Sequence, residues 1–314
     1  MTRPIVIAVV GPTCSGKTRL GISIAKQIRG EILCADSRTI YRHMNIGTAK
    51  PTASEQEAVR HHLINLADPD QTFTLAQFQT VGLAKIDDLH SRGVIPVVVG
   101  GTGLYTKALL QGLRIPQVQP DEHLRKHLQS IADNDPRGGD QALRQILEEL
   151  DPVSAQTIGP NDIFRLIRAI EVSRLSGAPF SDLKTMSPPP FDVVWFGLTY
   201  RDRSILRTRI AQRLQIQLDE GLVKEVDDLK SRFGATKTLI NTVAYKQILA
   251  YIDGQYDLNE AMLQAQSHTQ ELARRQMMWF RANKEIMFFD VDDDDFDRVQ
   301  TPVLQHISRL DALL

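Results

Sequence analysis

Only two cysteines, Cys14 and Cys34, occur in 314 residues. That count argues against a disulfide framework and against a cysteine-built zinc site, and it fits a reducing cytosol. Charge of one sign is also lacking: 37 Lys and Arg against 38 Asp and Glu leave a formal net charge of −1. No global basic signal for nucleic acid exists, so any such site must come from local clusters. No stretch approaches the ~20 apolar residues of a membrane span. The apolar run at 5–10 is too short for a secretory leader and is broken off by a glycine loop. Internal repeats are missing. The one low-complexity piece, Asp290 to Asp297, reads as a solvated acidic turn whose carboxylate spacing matches no Ca²⁺ loop. What remains is a composition of 42% hydrophobic and 24% charged residues, ordinary for a soluble globular protein. The length suffices for one large or two modest domains. A cytoplasmic protein with no membrane association is expected.

The chain is organised around Gly11-Pro12-Thr13-Cys14-Ser15-Gly16-Lys17-Thr18. An apolar run, Ile5 to Val10, precedes it as a buried strand, and Leu20 to Ile28 follows as an amphipathic helix. Strand, glycine loop, helix is the context that makes G-x-x-x-x-G-K-[ST] a phosphate-binding loop. The glycines let successive backbone N–H groups turn inward, and the helix N-terminus adds partial positive charge. Lys17 supplies a full charge, and the Thr18 hydroxyl is placed to reach a bound Mg²⁺. The loop specifies a diphosphate or longer; it does not say which one.

A second strand, Glu31 to Ala35, ends in Asp36-Ser37-Arg38. Ligand chemistry gathers at the carboxyl ends of parallel strands, so Asp36 should face the phosphate loop. It reads as a turn cap, as a water-mediated Mg²⁺ ligand, or as the general base of a transferase; spacing alone does not separate these. Ile40 to Pro51 is a loop with functional content. His61-His62 has no third ligand nearby and reads as structural. Phe73 to Leu89 is helical. A third strand, Ile95 to Val99, runs into Gly100-Gly101-Thr102-Gly103 and another helix. No Asp ends that strand, which counts against plain ATP hydrolysis.

From 116 to 190 no strand is predicted, and helices are expected over 121–132, 139–149, 152–157 and 162–176. Arg165 and Arg168 share a face of the last of these, and read by default as a solvated basic stripe beside Glu171. This helical insertion, 116–190, separates two halves of an α/β core, 1–115 and 191–314. The core resumes with a strand at 193–198 and a helix at 204–218, on which Arg209 and Arg213 either sit at the surface or reach the anion in the first loop. A short helix starts near Thr242, and a long one spans 258–281. Its Trp279 and Phe280, set among arginines, read first as core and second as a stacking surface. A closing strand is expected at 286–289.

Together these stretches resemble the bacterial tRNA dimethylallyltransferases. The matching pieces are the phosphate loop, Asp36-Ser-Arg-Thr-Ile-Tyr41, Met44-Asn-Ile-Gly-Thr-Ala-Lys-Pro-Thr52, Val99-Gly-Gly-Thr-Gly-Leu-Tyr105, Asn161-Asp162 with Arg165 and Arg168 to Glu171, Tyr245-Lys-Gln247, and Arg275-Gln with Trp279 to Arg281. The resemblance implies an α/β, P-loop NTPase-like parallel sheet core with a helical insertion that grips the anticodon arm of tRNA. It implies dimethylallyl diphosphate as donor, Mg²⁺ as cofactor, and transfer to N6 of the adenosine beside the anticodon, by a monomer. The residues at 11–18 and Arg213 would hold the diphosphate, Asp36 would take the amino proton, and Thr102 would assist the leaving oxygen. Asp36, Ser37, Arg38, Thr39, Thr102, then Phe164, Arg165, Leu166, Ile167 and Arg168, then Asn241, Thr242, Val243, Ala244, Tyr245 and Lys246 match stretches that contact tRNA in the family. The chain departs from the family pattern at Cys14 (usually Ala), Thr39 (often Gln), Asn45 (often Asp) and Ala244 (often Gly). Two other activities are consistent with the residues: isopentenyl transfer to free AMP or ADP, and a P-loop kinase with 116–190 as its lid.

Overall fold

The computed structural model describes residues 3–136, 138–292 and 295–311; Asp293 and Asp294 of the acidic stretch lie outside the described residues. The chain forms two compact units, Met1–Leu109 with Pro189–Leu314, and Leu110–Pro188.

The first unit begins with β1 (Ile5–Val10), α1 (Lys17–Ile28), β2 (Glu31–Cys34), α2 (Ala53–Ala58), β3 (His61–His62), α3 (Leu75–Ser91), β4 (Pro96–Gly100) and α4 (Gly103–Leu110). The second unit carries α5 (Glu122–Asp133), α6 (Gln141–Leu150), α7 (Pro152–Thr157), α8 (Ile163–Ser176) and α9 (Phe180–Leu183). The first unit then resumes with β5 (Asp192–Thr199), α10 (Arg203–Asp219), α11 (Leu222–Phe233), α12 (Lys237–Ile240), α13 (Tyr245–Ile252), α14 (Leu258–Arg281), β6 (Met287–Asp290) and α15 (Asp297–Asp311).

The six strands make one sheet in the order β3-β2-β4-β1-β5-β6, every pair parallel. β1 sits in the middle, and its run Val6–Val10 is buried throughout, as a strand covered on both faces must be. The chain leaves β1 toward β2 and returns along β4 before crossing to β5. The carboxyl ends of β1, β4 and β2 therefore lie side by side, where an open parallel sheet forms its crevice. Leu20 and Ile24 of α1 are fully buried against the sheet, each worth roughly 1.5–3 kcal/mol. α15 closes this layer with Val299, Val303 and Ile307, spaced four apart and buried in the same core. Gln27 Nε2 on α1 ties it down, donating to Leu304 O at 3.0 Å and Ser308 Oγ at 2.7 Å.

The second unit packs its own core from Leu128, Leu143, Leu147, Leu166 and Ile170. Three of its helices start on capping aspartates: Asp121, Asp151 and Asp162 each accept from a backbone N–H of the first turn. The unit is closed at its base by an antiparallel bridge, Leu113 to Met186, flanked by Arg114 N to Thr185 O at 2.9 Å and Ser187 N to Gly112 O at 2.8 Å. This pairing puts its limits at Leu110 and Pro188 rather than at 116 and 190.

The basic stripe expected on α8 is not a stripe. The Glu171 side chain is fully buried and accepts from Arg125 Nε at 2.7 Å, Arg168 Nη1 at 2.6 Å and the Asp121 backbone N–H at 2.8 Å. Arg168 also donates to Val118 O at 3.1 Å. A buried carboxylate needs such partners, so Arg168 is committed to the fold. Arg165 instead stays at the surface, paired with Asp162 at 3.1 Å.

Candidate active site

The phosphate loop leaves β1 and enters α1 through two residues in the left-handed region, Cys14 (φ 61) and Gly16 (φ 85). A Cβ on Gly16 would lie 2.8 Å from the Phe296 ring, so glycine is required there for both torsion and space. Three side chains far along the chain hold the loop. Gln276 of α14 accepts from the Thr13 backbone N–H at 2.8 Å. Tyr200 donates its hydroxyl to Cys14 O at 2.5 Å, and Arg209 Nη1 lies 3.1 Å from that hydroxyl. Arg213, one helical turn on, places Nη1 3.4 Å from Thr13 Oγ1 and 3.9 Å from Cys14 Sγ. Both α10 arginines thus serve the loop, Arg213 directly and Arg209 through Tyr200. Sequence patterns alone assign no site role to Tyr200 or Gln276; the Arg275-Gln276 motif on a helix ending in aromatics is the one signal.

Lys17 curls back over the loop, its Nζ donating to Pro12 O at 2.5 Å. Burial, then repulsion from Arg213, pull its pKa down to about 8, against the opposing influence of Cys14 and Asp36. Ser15 is buried, and its hydroxyl has no partner among the described residues.

Asp36 follows β2, and Thr102 follows β4. Asp36 Oδ1 accepts from the backbone N–H groups of Arg38 at 2.8 Å and Thr39 at 3.4 Å. Oδ2 lies 3.5 Å from Thr102 Oγ1, which itself accepts from the Ser37 N–H at 3.2 Å. The turn-cap reading of Asp36 is therefore correct for one oxygen and leaves the other turned toward Thr102. One cavity of about 460 Å³ collects Thr13, Cys14, Lys17, Thr18, Asp36, Ser37, Arg38, Thr39, Thr102 and Arg213 on its walls. Its far rim is Asn241–Ala244, and Arg38 Nη2 bonds across to Asn241 O at 3.0 Å. Trp279 also lines it and is 41% exposed, whereas Phe280 is core.

Several residues matched to RNA-contact stretches do not offer their side chains. Leu166 and Ile167 lie in the core of the second unit, because α8 turns every third or fourth residue inward. Phe164, 77% exposed, and Arg165 are what that stretch presents to solvent. Tyr245 is fully buried, Thr242 donates to Thr238 O at 2.6 Å, and Lys246 is exposed. Ala244 holds φ 71, a conformation costly for a residue with a Cβ.

Among the described residues no group of three or more His, Cys, Asp or Glu side chains that could hold a metal ion occurs. His62 Nε2 meets Glu31 Oε2 at 2.5 Å, and Arg92 holds the Glu31 carboxyl down at about 2. His61 Nδ1 meets Val59 O at 2.8 Å, but its Nε2 has no partner among the described residues, so that ring is only half satisfied. No described helix is long and apolar enough to cross a membrane.

The buried Lys50 ammonium rests on three neutral oxygens: Tyr41 O at 2.6 Å, Asn65 Oδ1 at 2.7 Å and Asn45 Oδ1 at 3.0 Å. Burial lowers its pKa to about 8. A lysine depressed in the folded state binds fewer protons than in the unfolded chain between about 8 and its ordinary value. Stability therefore rises with pH across that window and carries the full penalty below it. Asn45→Asp supplies a negative charge beside that ammonium. It should raise stability at pH 7 by about 1 kcal/mol and shrink the rise in Tm between pH 8 and 10; an unchanged Tm profile would contradict this.

Residues 39–283 match the IPP transferase family. A tRNA dimethylallyltransferase of Thermosynechococcus vestitus is 42% identical over 280 residues, 89% of this chain and 88% of its own. Another, from Halalkalibacterium halodurans, is 37% identical over 295 residues, 93% of each chain. Among solved structures, the full-length tRNA isopentenylpyrophosphate transferase of Bacillus halodurans superposes with TM-score 0.70 at 34% identity, covering 99% of this chain and 100% of its own. A eukaryotic dimethylallyltransferase acting on tRNA gives TM-score 0.79 at 25% identity, over 94% of this chain and 76% of its own.

Proposed function

Since the chain belongs to the IPP transferase family, whose curated relatives are tRNA-modifying prenyltransferases, we propose that it carries a dimethylallyl group from dimethylallyl diphosphate to the N6 amine of the adenosine 3′ to the anticodon. The observation that carries this reading is the convergence of the phosphate loop, Asp36 and Thr102 on one cavity at the ends of β1, β2 and β4.

In this reading the backbone N–H groups of residues 14–18, Lys17 and Arg213 hold the diphosphate. The adenine, flipped out of its stack, presents N6 to the first carbon of the donor. The N6 lone pair forms the new C–N bond as the C–O bond breaks, and the electron pair leaves on the diphosphate oxygen. Asp36 Oδ2, the oxygen not engaged by backbone N–H groups, takes the N6 proton, because an exocyclic amine is a poor nucleophile until relieved of it. Thr102 Oγ1, between the Ser37 N–H and Asp36, donates to the leaving oxygen. Fixed donors and cations meet the charge that develops there.

Mg²⁺ fits the donor set. The Thr18 hydroxyl supplies a hard oxygen in the cavity, and with no richer cluster among the described residues the ion would be held mainly by the diphosphate, as Mg²⁺ prefers. When bound it neutralises charge on the departing diphosphate.

The acceptor arm would be gripped by the second unit through Phe164 and Arg165. Arg165→Ala should weaken stem-loop binding and lower the slope of log affinity against log salt by about 1. Arg168→Ala acts through the fold instead: it strips one of two guanidinium partners from buried Glu171 and should lower stability by about 2 kcal/mol. A salt slope that moves only with Arg168→Ala would reverse these assignments.

The overall test is transfer of labelled dimethylallyl group, with Mg²⁺, to an anticodon stem-loop, to free AMP and to no acceptor. Label in the stem-loop alone is expected. Label in AMP would move the activity to free nucleotides, and no transfer from the diphosphate would overturn the reading.

A further inference from the structure

The Glu225 carboxylate lies outside the loop, base and leaving-group machinery, yet it is among the most heavily bonded groups near the cavity. It projects from α11 into the backbone of the 45–47 turn. Its oxygens accept from the N–H groups of Asn45 at 3.0 Å, Ile46 at 2.9 Å and Gly47 at 3.3 Å. They also accept from the Tyr245 hydroxyl at 2.6 Å. Burial and that same carboxylate push the Tyr245 hydroxyl well above its ordinary value, so it remains a donor at any working pH. Three successive N–H groups converging on an anion form a nest of the kind that binds free anions, occupied here by the protein's own side chain. Gln217 of α10 completes the clasp, its Nε2 donating to Ile46 O at 2.6 Å.

The clasp determines where two stretches of cavity wall sit. Gly47, Thr48 and Ala49 line the cavity directly beyond the clasped turn, and Asn241–Ala244 line it directly before Tyr245. A Cβ at Gly47 would come within 2.4 Å of the Tyr245 ring, so the turn and the ring are pressed together with no room to slip. Neither wall stretch touches the phosphate loop through any of these bonds. Gln217 and Arg213, four residues apart on α10, point to different parts of the cavity wall. Arg213 reaches Thr13 of the loop, and Gln217 reaches Ile46 of the turn.

We propose that Glu225 is a positioning residue for the acceptor side of the reaction: through the 45–47 N–H groups and Tyr245 it holds the two wall stretches that align the incoming base, without contacting either substrate. The proposal rests on the transferase reading for its kinetic part and on geometry alone for its structural part.

The experiment uses the full chain, with Glu225→Gln, Glu225→Asp and Tyr245→Phe beside wild type. Glu225→Gln turns an amide NH₂ against the N–H groups and should reduce the single-turnover rate on an anticodon stem-loop about 10- to 100-fold. Affinity for a non-transferable thio analogue of the donor should stay within about threefold of wild type. Tyr245→Phe removes one bond of the clasp and should cost less, and Glu225→Asp should recover part of the Glu225→Gln loss. The fall in rate with donor affinity retained is the readout a merely structural role would not give, and amide hydrogen exchange reads the clasp itself: exchange at Asn45, Ile46 and Gly47 should accelerate about 10-fold or more in Glu225→Gln, with the sheet amides unchanged. If Glu225→Gln does not fold, Tyr245→Phe and Glu225→Asp carry the same two readouts at smaller amplitude. Unchanged exchange at the three amides, or loss of donor affinity in step with rate, would overturn the proposal. Absence of transfer in wild type would sink the transferase reading alone, and the exchange result would still decide the clasp.

Discussion

Replacing Asp36 by asparagine should lower the single-turnover rate of dimethylallyl transfer about 10²- to 10⁴-fold. Asparagine keeps an oxygen for the N–H groups of Arg38 and Thr39, which now engage Oδ1, so the turn after β2 should survive. What it removes is the basic oxygen facing Thr102. Donor affinity should change little, because Asp36 makes no bond to the phosphate loop. One coupled effect is expected: Asp36 supports the charge on Lys17, so its neutralisation should move the Lys17 titration lower. A variant with near-wild-type single-turnover rate would remove Asp36 from the role of base. A variant that lost donor affinity in proportion to rate would assign Asp36 to the donor instead. Bound-donor turnover, measured apart from affinity, separates the two.

Much of this site was legible because it is built from short-range chemistry. The phosphate loop announces itself by spacing, and β1, β2 and β4 by apolar runs ended by Gly, Asp and Gly. Parallel-sheet rules then bring those ends together without any knowledge of contacts. The long helix α14 was readable to its ends, Leu258 and Arg281, because Asp257 caps it and neither Gly nor Pro interrupts it. What the sequence hid is of another kind. α11 and α15 lie where charges crowd the pattern, and α15 carries Pro302 within it, so their apolar stripes became plain only against the cores they fill. Arg165 and Arg168 look equivalent in sequence; one faces water and the other a buried Glu171, a distinction set by α5, which lies more than thirty residues earlier. Gln276, Tyr200 and Glu225 act on loops 178 to 263 residues away. No local pattern reports such bonds, since a glutamine or glutamate on an amphipathic helix looks like any solvated residue.

The second large effect belongs to Lys17, and it carries a pH signature. Lys17→Met removes the one full charge within the loop and should weaken productive donor engagement about 10²- to 10³-fold, seen as a fall in kcat/KM for the donor. In the free enzyme Lys17 titrates at about 8, depressed by burial and then by Arg213. A bound diphosphate reverses that balance, because its negative charge favours the ammonium form and raises the pKa in the complex. Where the complex holds a proton that the free enzyme has lost, binding takes one up. The contribution of Lys17 to affinity is thus fully present below pH 8. It then falls up to about tenfold per pH unit above 8, until the pKa of the complex is reached. Calorimetry in two buffers of different ionisation enthalpy should detect that uptake near pH 9 and little of it from Lys17 near pH 7. Lys17→Arg, which stays charged throughout, should abolish the uptake at pH 9 even where it retains part of the affinity. Proton uptake that persists in Lys17→Arg would place the titrating group elsewhere. Affinity that is flat from pH 7 to 10 in wild type would mean that burial does not depress this lysine, and that the charge of Arg213 is screened from it.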